Sequence, residues 1–329
     1  LAAGILLLPA TQYPATTWWS KPDLDREYVL SLDVEHYFGN IQKMRKHLET
    51  DRQILWVTYY RNLYNATHPS EINSPVSLSR NLLAWNQPGT NGLILPVNPS
   101  ASFLSILFAN ELWFTLGDMT MAEHCAMLSM IFSPRNSGSR MIKRLAEINL
   151  VNGDDEAALK YLRILDKTLL HKSWAEKRIP GQQTPRVKEW LEKKRRDIPT
   201  QDQLRSGNDA VTSLRNLVAS NAGNLRAYEY LLCYHLLSKD LRSFVEDYVP
   251  GKVSSSIFAE ALLIHLARQG NIRAEELIKY QIPVEIAKEF ADYTRLYEAK
   301  DTSLKEKYGK TYWFYYHFAT TEPGKESKP

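Results

Sequence analysis

The chain has 329 residues and a mass of 37.9 kDa, enough to bury a large core without a disulfide or a metal staple. A formal charge of +4 and a pI near 8.8 fall short of a dedicated nucleic-acid binder, and a mean hydropathy of -0.38 fits a soluble body. Cys125 and Cys233 each stand in an apolar helical context without metal-ligand spacing, which predicts buried thiols. Eight Trp, eighteen Tyr and ten Phe suit surfaces that are half apolar and half wet, as in a protein interface or a sugar-binding groove.

Residues 1–20, LAAGILLLPATQYPATTWWS, begin with an apolar run from Leu1 to Ala10 that contains Pro9 and is about half as long as a bilayer-spanning helix. Tyr13, Trp18, Trp19 and Lys21 follow it, the order in which a membrane segment leaves hydrocarbon through an aromatic belt. The chain opens with Leu rather than Met. The expectation is an N-terminal arm or membrane-exit remnant, with the natural protein attached to a membrane through sequence at or before Trp19.

From Leu24 to Leu48 the pattern reads helix, break at Gly39–Asn40, helix. Arg52 to Tyr64 is apolar and aromatic nearly all round, as a buried helix is. Between Asn65 and Pro99, five prolines and two glycines interrupt the chain; Val76 to Trp85 can form a helix after Pro75, and Asn86 to Asn98 is expected as loop.

The stretch from Asn98 to Leu170 contains two consecutive helical hairpins of one construction. In the first, Ile106, Ala109 and Asn110 precede a Gly117–Asp118 turn, and Met119, Ala122, Ala126 and Ser129 recur at helical spacing up to Pro134. In the second, Ile142, Leu145 and Ala146 precede Gly153–Asp154, and Ala157, Ala158, Leu162 and Leu165 follow. Gly117 and Gly153 lie 36 residues apart, as do Ala122 and Ala158. A small residue at the crossing lets antiparallel helices approach closely, and glycine ends a helix where a side chain would be strained. Recurrence at such a period marks stacked helix pairs.

Residues 171–207 interrupt the repeat. Pro185 opens a helix through Trp190 to Arg196 that is expected to be largely solvated, with the basic run Lys193, Lys194, Arg195 and Arg196 facing solvent or an anionic surface. Helices resume after Asn208, a plausible N-cap, over Leu225 to Leu237 and Leu241 to Val249, then in a unit turning at Gly270 with Glu275 at the crossing, where looser packing or a kink is expected. Pro283 starts a long helix through Tyr297, and Tyr308 to Phe318 reads as an aromatic helix capping the array. The helical-repeat body is thus placed at 21–318 and a flexible tail at 319–329.

The spacing of Leu145, Ala146, Gly153, Ala158 and Leu162, with Pro134 closing the preceding unit, resembles the tetratricopeptide repeat, although Ile142 and Asn149 stand where that family has aromatic residues. The resemblance implies an all-α fold of antiparallel helix-hairpin repeats, a TPR-like α-α superhelix with an irregular insertion, and roughly 14 to 18 helices. The order YYRNLYN, SLSRNLLAWNQPGTNGLILP and LGDMTMAEHCAM is similar to the soluble region of a family of uncharacterised Bacteroides-type proteins. That similarity implies an upstream multi-pass membrane domain and a place in the cell envelope.

No chemical signature stands out. The eight histidines form neither HExxH nor a Cys/His cluster, and Gly309–Lys310–Thr311 lacks the upstream glycine of a phosphate loop. No catalytic residue, cofactor or metal site is expected. The function expected is a non-catalytic protein-interaction or scaffold module with a protein partner, or a glycan or envelope polymer, and no nucleic acid. Its candidate contact residues are the aromatics expected to be exposed, Trp85, Trp174, Trp190 and Trp313, together with Lys193, Lys194, Arg195 and Arg196. The alternative is a carbohydrate-binding or glycan-active domain that draws carboxylates from distant loops.

Overall fold

A computed structural model describes residues 24–49, 57, 59–61, 63–64, 103–131, 138–200 and 210–319, with backbone alone at 103–108 and 210. The membrane-exit reading of residues 1–20, the helix ending at Trp85 and the N-cap at Asn208 lie outside these residues. The chain divides into two units, one ending at Arg61 and one beginning at Asn62. All regular elements among the described residues are helices, sixteen in number.

In the first unit α1 (Leu24–Phe38) and α2 (Ile41–Leu48) form a hairpin about Gly39, whose φ is +68°. Val29, Leu32, Met44 and Leu48 are buried, and the Tyr60 hydroxyl donates to the Asp33 carboxylate.

The second unit contains the two hairpins expected from the 36-residue recurrence. They are α3 (Phe103–Leu116) with α4 (Met119–Ile131), and α5 (Ser139–Asn152) with α6 (Asp155–Asp166). Consecutive members pack on one another, so that α4 lies against both α3 and α5. Ala122 and Ala158 are fully buried, as close helix approach demands. A buried polar joint locks α5 to α3: Arg144 bonds Asn110 (2.9 Å), Glu147 (2.8 Å) and Glu111, and Arg140 bonds Glu111 (3.0 Å).

The helix ends explain why the repeat is regular. A residue in the left-handed region follows the helix, and the next N–H donates back to a carbonyl five residues earlier, the Schellman closure. It occurs at Gly117 with Asp118 N to Trp113 O (3.0 Å), and at Gly153 with Asp154 N to Asn149 O (2.9 Å). The aspartate then caps the next helix, Asp118 accepting from Met121 N (2.8 Å) and Asp154 from Ala157 N (3.0 Å).

Beyond residue 200, α9 (Ala210–Ser220), α10 (Leu225–Leu237) and α11 (Leu241–Asp247) continue the packing to α12 (Ser256–Arg268). The α10–α11 turn repeats the same device without a glycine: Lys239 holds φ 57°, and Asp240 accepts from Ser243 N (3.0 Å). The unit at Gly270 is loose, since α13 (Ala274–Lys279) buries no residue and α14 (Val284–Glu298) packs on α12 instead. The terminal aromatic segment divides into α15 (Leu304–Tyr308) and α16 (Tyr312–Phe318), and α16 covers α12. The helix-on-helix packing throughout is consistent with a TPR-like array.

Candidate functional site

Between α6 and α9 the chain forms α7 (Lys172–Glu176) and α8 (Pro185–Arg195), with Pro185 in the first turn as its fixed φ favours. α7 packs on α6, and α8 packs on α5. Trp190 of α8 stacks on Phe114 of α3 at 6.3 Å between ring centroids, so α8 lies against the first helices of both hairpins. Val187 and Leu191 face inward.

α8 is largely solvated, but within its basic run Lys194 and Arg195 also serve helix ends. The Arg195 guanidinium donates to Val151 O (3.0 Å) and Leu150 O (2.8 Å), carbonyls of the last turn of α5. Lys194 reaches Phe114 O (3.4 Å) near the end of α3, with its ammonium 4.6 Å from the Phe114 ring. Cations there satisfy carbonyls that a helix terminus leaves orphaned and meet the negative end of its dipole. Burial first, then the charges of Arg226 and Arg144, push the Lys194 ammonium down to about 8. Lys193, Arg195 and Arg196 remain exposed.

The link between α7 and α8 is pinched. Thr184 N donates to Lys177 O (3.4 Å), and Gln182 N to Ile179 O (2.9 Å), which brings the end of α7 beside the start of α8. A cleft of about 470 Å³ results, lined by Lys177, Arg178, Thr184, Arg186, Val187 and Trp190. Three of these six carry positive charge and none is acidic. The Arg178 guanidinium lies 4.2 Å from the Trp174 ring centroid and donates to Trp174 O (3.2 Å). Its Nε is buried with no hydrogen-bond partner among the described residues. Between 171 and 200 there are nine basic and four acidic residues, a net +5 that exceeds the +4 of the whole chain. Of these nine cations Lys177, Arg178 and Arg186 line the cleft, while Lys193, Lys194, Arg195 and Arg196 stand at the opposite end of α8.

The four nominated aromatics part company. Trp174 and Trp190 are half-buried: Trp174 packs on the core cluster of Ile142, Ala146, Leu162, Leu165 and Ala175 and lies behind the Arg178 guanidinium, whereas Trp190 stands in the cleft wall. Trp85 lies outside the described residues. Trp313 corrects the sequence expectation: it is fully buried, its Nε1 donates to Glu260 O (3.0 Å), and its ring sits 5.3 Å from Phe290 and 5.5 Å from Tyr293. A partner for the indole N–H and an aromatic neighbourhood make it a core residue. Sequence reading passed over Lys177, Arg178 and Arg186, because they are separated by a loop whose closure only the fold shows.

Cys125 and Cys233 are both buried, without a disulfide between them. Among the described residues no group of three or more His, Cys, Asp or Glu is placed to hold a metal ion, and no helix is long and apolar enough to cross a membrane.

Taken together, the geometry defines an all-α protein of repeated helix hairpins in which two added helices close a basic, aromatic-walled cleft against the repeat. The chain belongs to DUF6057, a family of unknown function, whose model matches residues 1–319. No curated protein and no solved structure matches it.

Proposed function

We propose that this protein is a non-catalytic interaction module that holds a protein partner at the cleft between α7 and α8. The observation that carries the reading is the cleft itself: cationic and aromatic side chains converge on a concave surface supported by two packed hairpins, with no carboxylate in its lining. Aromatic and arginine side chains in partly desolvated pockets are the groups that dominate protein interfaces. A glycan-active site would instead need two carboxylates about 5 to 9.5 Å apart among aromatics, and the cleft's lining supplies neither of them.

A photo-crosslinking amino acid placed at Lys177 in the native cell is expected to capture a discrete protein, whereas the same group at Glu275 on exposed α13 captures none. Equal capture at both positions, or none at either, would remove the reading. We also propose attachment to a membrane, within a cell envelope, through sequence at or before Trp19, supported by the apolar run Leu1 to Ala10 and its Trp18–Trp19 flank. Retention in the membrane fraction after alkaline carbonate washing is the expected result; release into the wash would sink this part.

A further inference from the structure

We infer that the cleft is an acidic-peptide site, in which Lys177, Arg178 and Arg186 receive the carboxylates of a partner segment and Trp190 receives an adjoining apolar side chain. The inference rests on the protein-interaction reading and specifies the chemistry of the partner.

Three observations converge on it. The first is charge left without compensation. Among the described residues none of the three cations makes an ion pair, and Glu147, the carboxylate whose field reaches Arg178, is already bonded to Arg144 at 2.8 Å. The second is the orientation of α8. This helix of eleven residues presents the positive end of its dipole to the cleft with no acidic residue in its first turn, and places Arg186 there instead. A cation at that end is the wrong sign for the dipole, and a bound anion reverses the repulsion. Thr184, the residue before the helix, makes no side-chain cap bond, so its hydroxyl has no capping role to leave.

The third is the buried Arg178 Nε, which has no partner among the described residues although the rest of the guanidinium is held on Trp174. Buried polar groups are ordinarily satisfied, and a carboxylate is the acceptor that fits a guanidinium edge. Burial and the neighbouring charge of Arg186 hold the Arg178 guanidinium below its usual range, consistent with a crowded positive field.

The shape favours a peptide over a membrane or a nucleic acid. The cations line a recess beside Trp190 rather than projecting from a flat face, as contact with a leaflet requires. Three cations line the recess, too small a footprint for a phosphodiester backbone. A volume of about 470 Å³ accommodates a few side chains of an extended segment.

The test is fluorescence anisotropy of the full chain with a fluorescein-labelled peptide alternating Asp-Glu pairs with Leu and Phe. The expected result is saturable, salt-sensitive binding that is absent for the peptide with Asn and Gln in place of the acids. Lys177 and Arg186 are exposed, so the double variant Lys177→Gln, Arg186→Gln is expected to keep its dichroism spectrum while binding at least about tenfold more weakly. Trp190→Ala weakens binding through the apolar contact, and Arg186→Lys retains most of it. Absence of saturable binding, or unchanged binding in the double variant, overturns the proposal. So does capture of phosphatidylserine vesicles that depends on the same two residues when the peptide does not bind. If crosslinking from Lys177 finds a protein while the acidic peptide fails, the interaction reading stands and this ligand chemistry falls. If the peptide binds while no protein is captured, the cleft chemistry stands and the interaction reading falls.

Discussion

Gly117 and Gly153 occupy equivalent turns and both hold positive φ, yet their surroundings differ. A Cβ on Gly153 meets nothing within 4 Å, whereas a Cβ on Gly117 falls 2.3 Å from Asp197 O. Gly153→Ala is therefore expected to cost only left-handed strain, about 1–2 kcal/mol. Gly117→Ala adds an overlap worth a further ~1–3 kcal/mol, and denaturant titration of the two variants side by side measures the difference. Lys194 offers a pH test. Its folded value near 8 lies below the usual 10.5, so the unfolded chain binds the extra proton between those values and stability rises with pH across that window. This contribution is complete above about pH 10.5 and is lost as pH falls through 8. Relative to Lys194→Met, the wild-type chain should gain stability between pH 7.5 and about 10, as read by urea midpoints; a flat difference would show the ammonium to be well solvated.

At the scale of elements, two helices pack closely where the crossing residue is small. Ala158→Leu forces a side chain into the fully buried contact between α6 and α5 and is expected to lower stability by about 1–3 kcal/mol in thermal unfolding. The same rule predicts the looseness of α13, where Glu275 replaces the small residue and no side chain is buried. A recurring device appears at other helix ends. Arg195 bonds the last turn of α5, Arg61 donates to Leu48 O of α2 (2.7 Å), and the Tyr312 and Tyr315 hydroxyls donate to Leu236 O (2.9 Å) and Leu237 O (2.8 Å) of α10. In each case a side chain distant in sequence satisfies carbonyls that the helix leaves open. The basic run in α8 is thus divided between this role and solvent, a division that charge counting does not show.

Across the second unit as a whole, long-range ties close the array. Asn224 Nδ2 donates to Leu116 O (2.8 Å) and Asp197 O (2.7 Å) while its Oδ1 caps α10 through Ala227 N (3.0 Å), so one buried side chain joins the first hairpin, the end of the α8 segment and α10. At the other end α16 seals α12 with Trp313. Trp313→Ala is expected to cost about 3–5 kcal/mol in denaturant unfolding while leaving peptide binding at Lys177 and Arg186 intact. Loss of binding without loss of stability would instead make Trp313 a contact residue.

By itself the sequence determined the helical class, the two hairpins and the turns at Gly39, Gly117, Gly153 and Gly270, because these depend on local periodicity and on conformations that glycine alone adopts cheaply. It also marked α8 through Pro185. The turn at Lys239 escaped it, since a lysine carries no left-handed signature and is held there by the Schellman bonds around it. Only the tertiary structure decided that Trp313 is core, that Lys194 and Arg195 serve helix ends, and that Lys177, Arg178 and Arg186 share a cleft. Each of these depends on a hydrogen bond or a packing contact between residues far apart in the chain, or on the closure of a loop, and no local pattern encodes either.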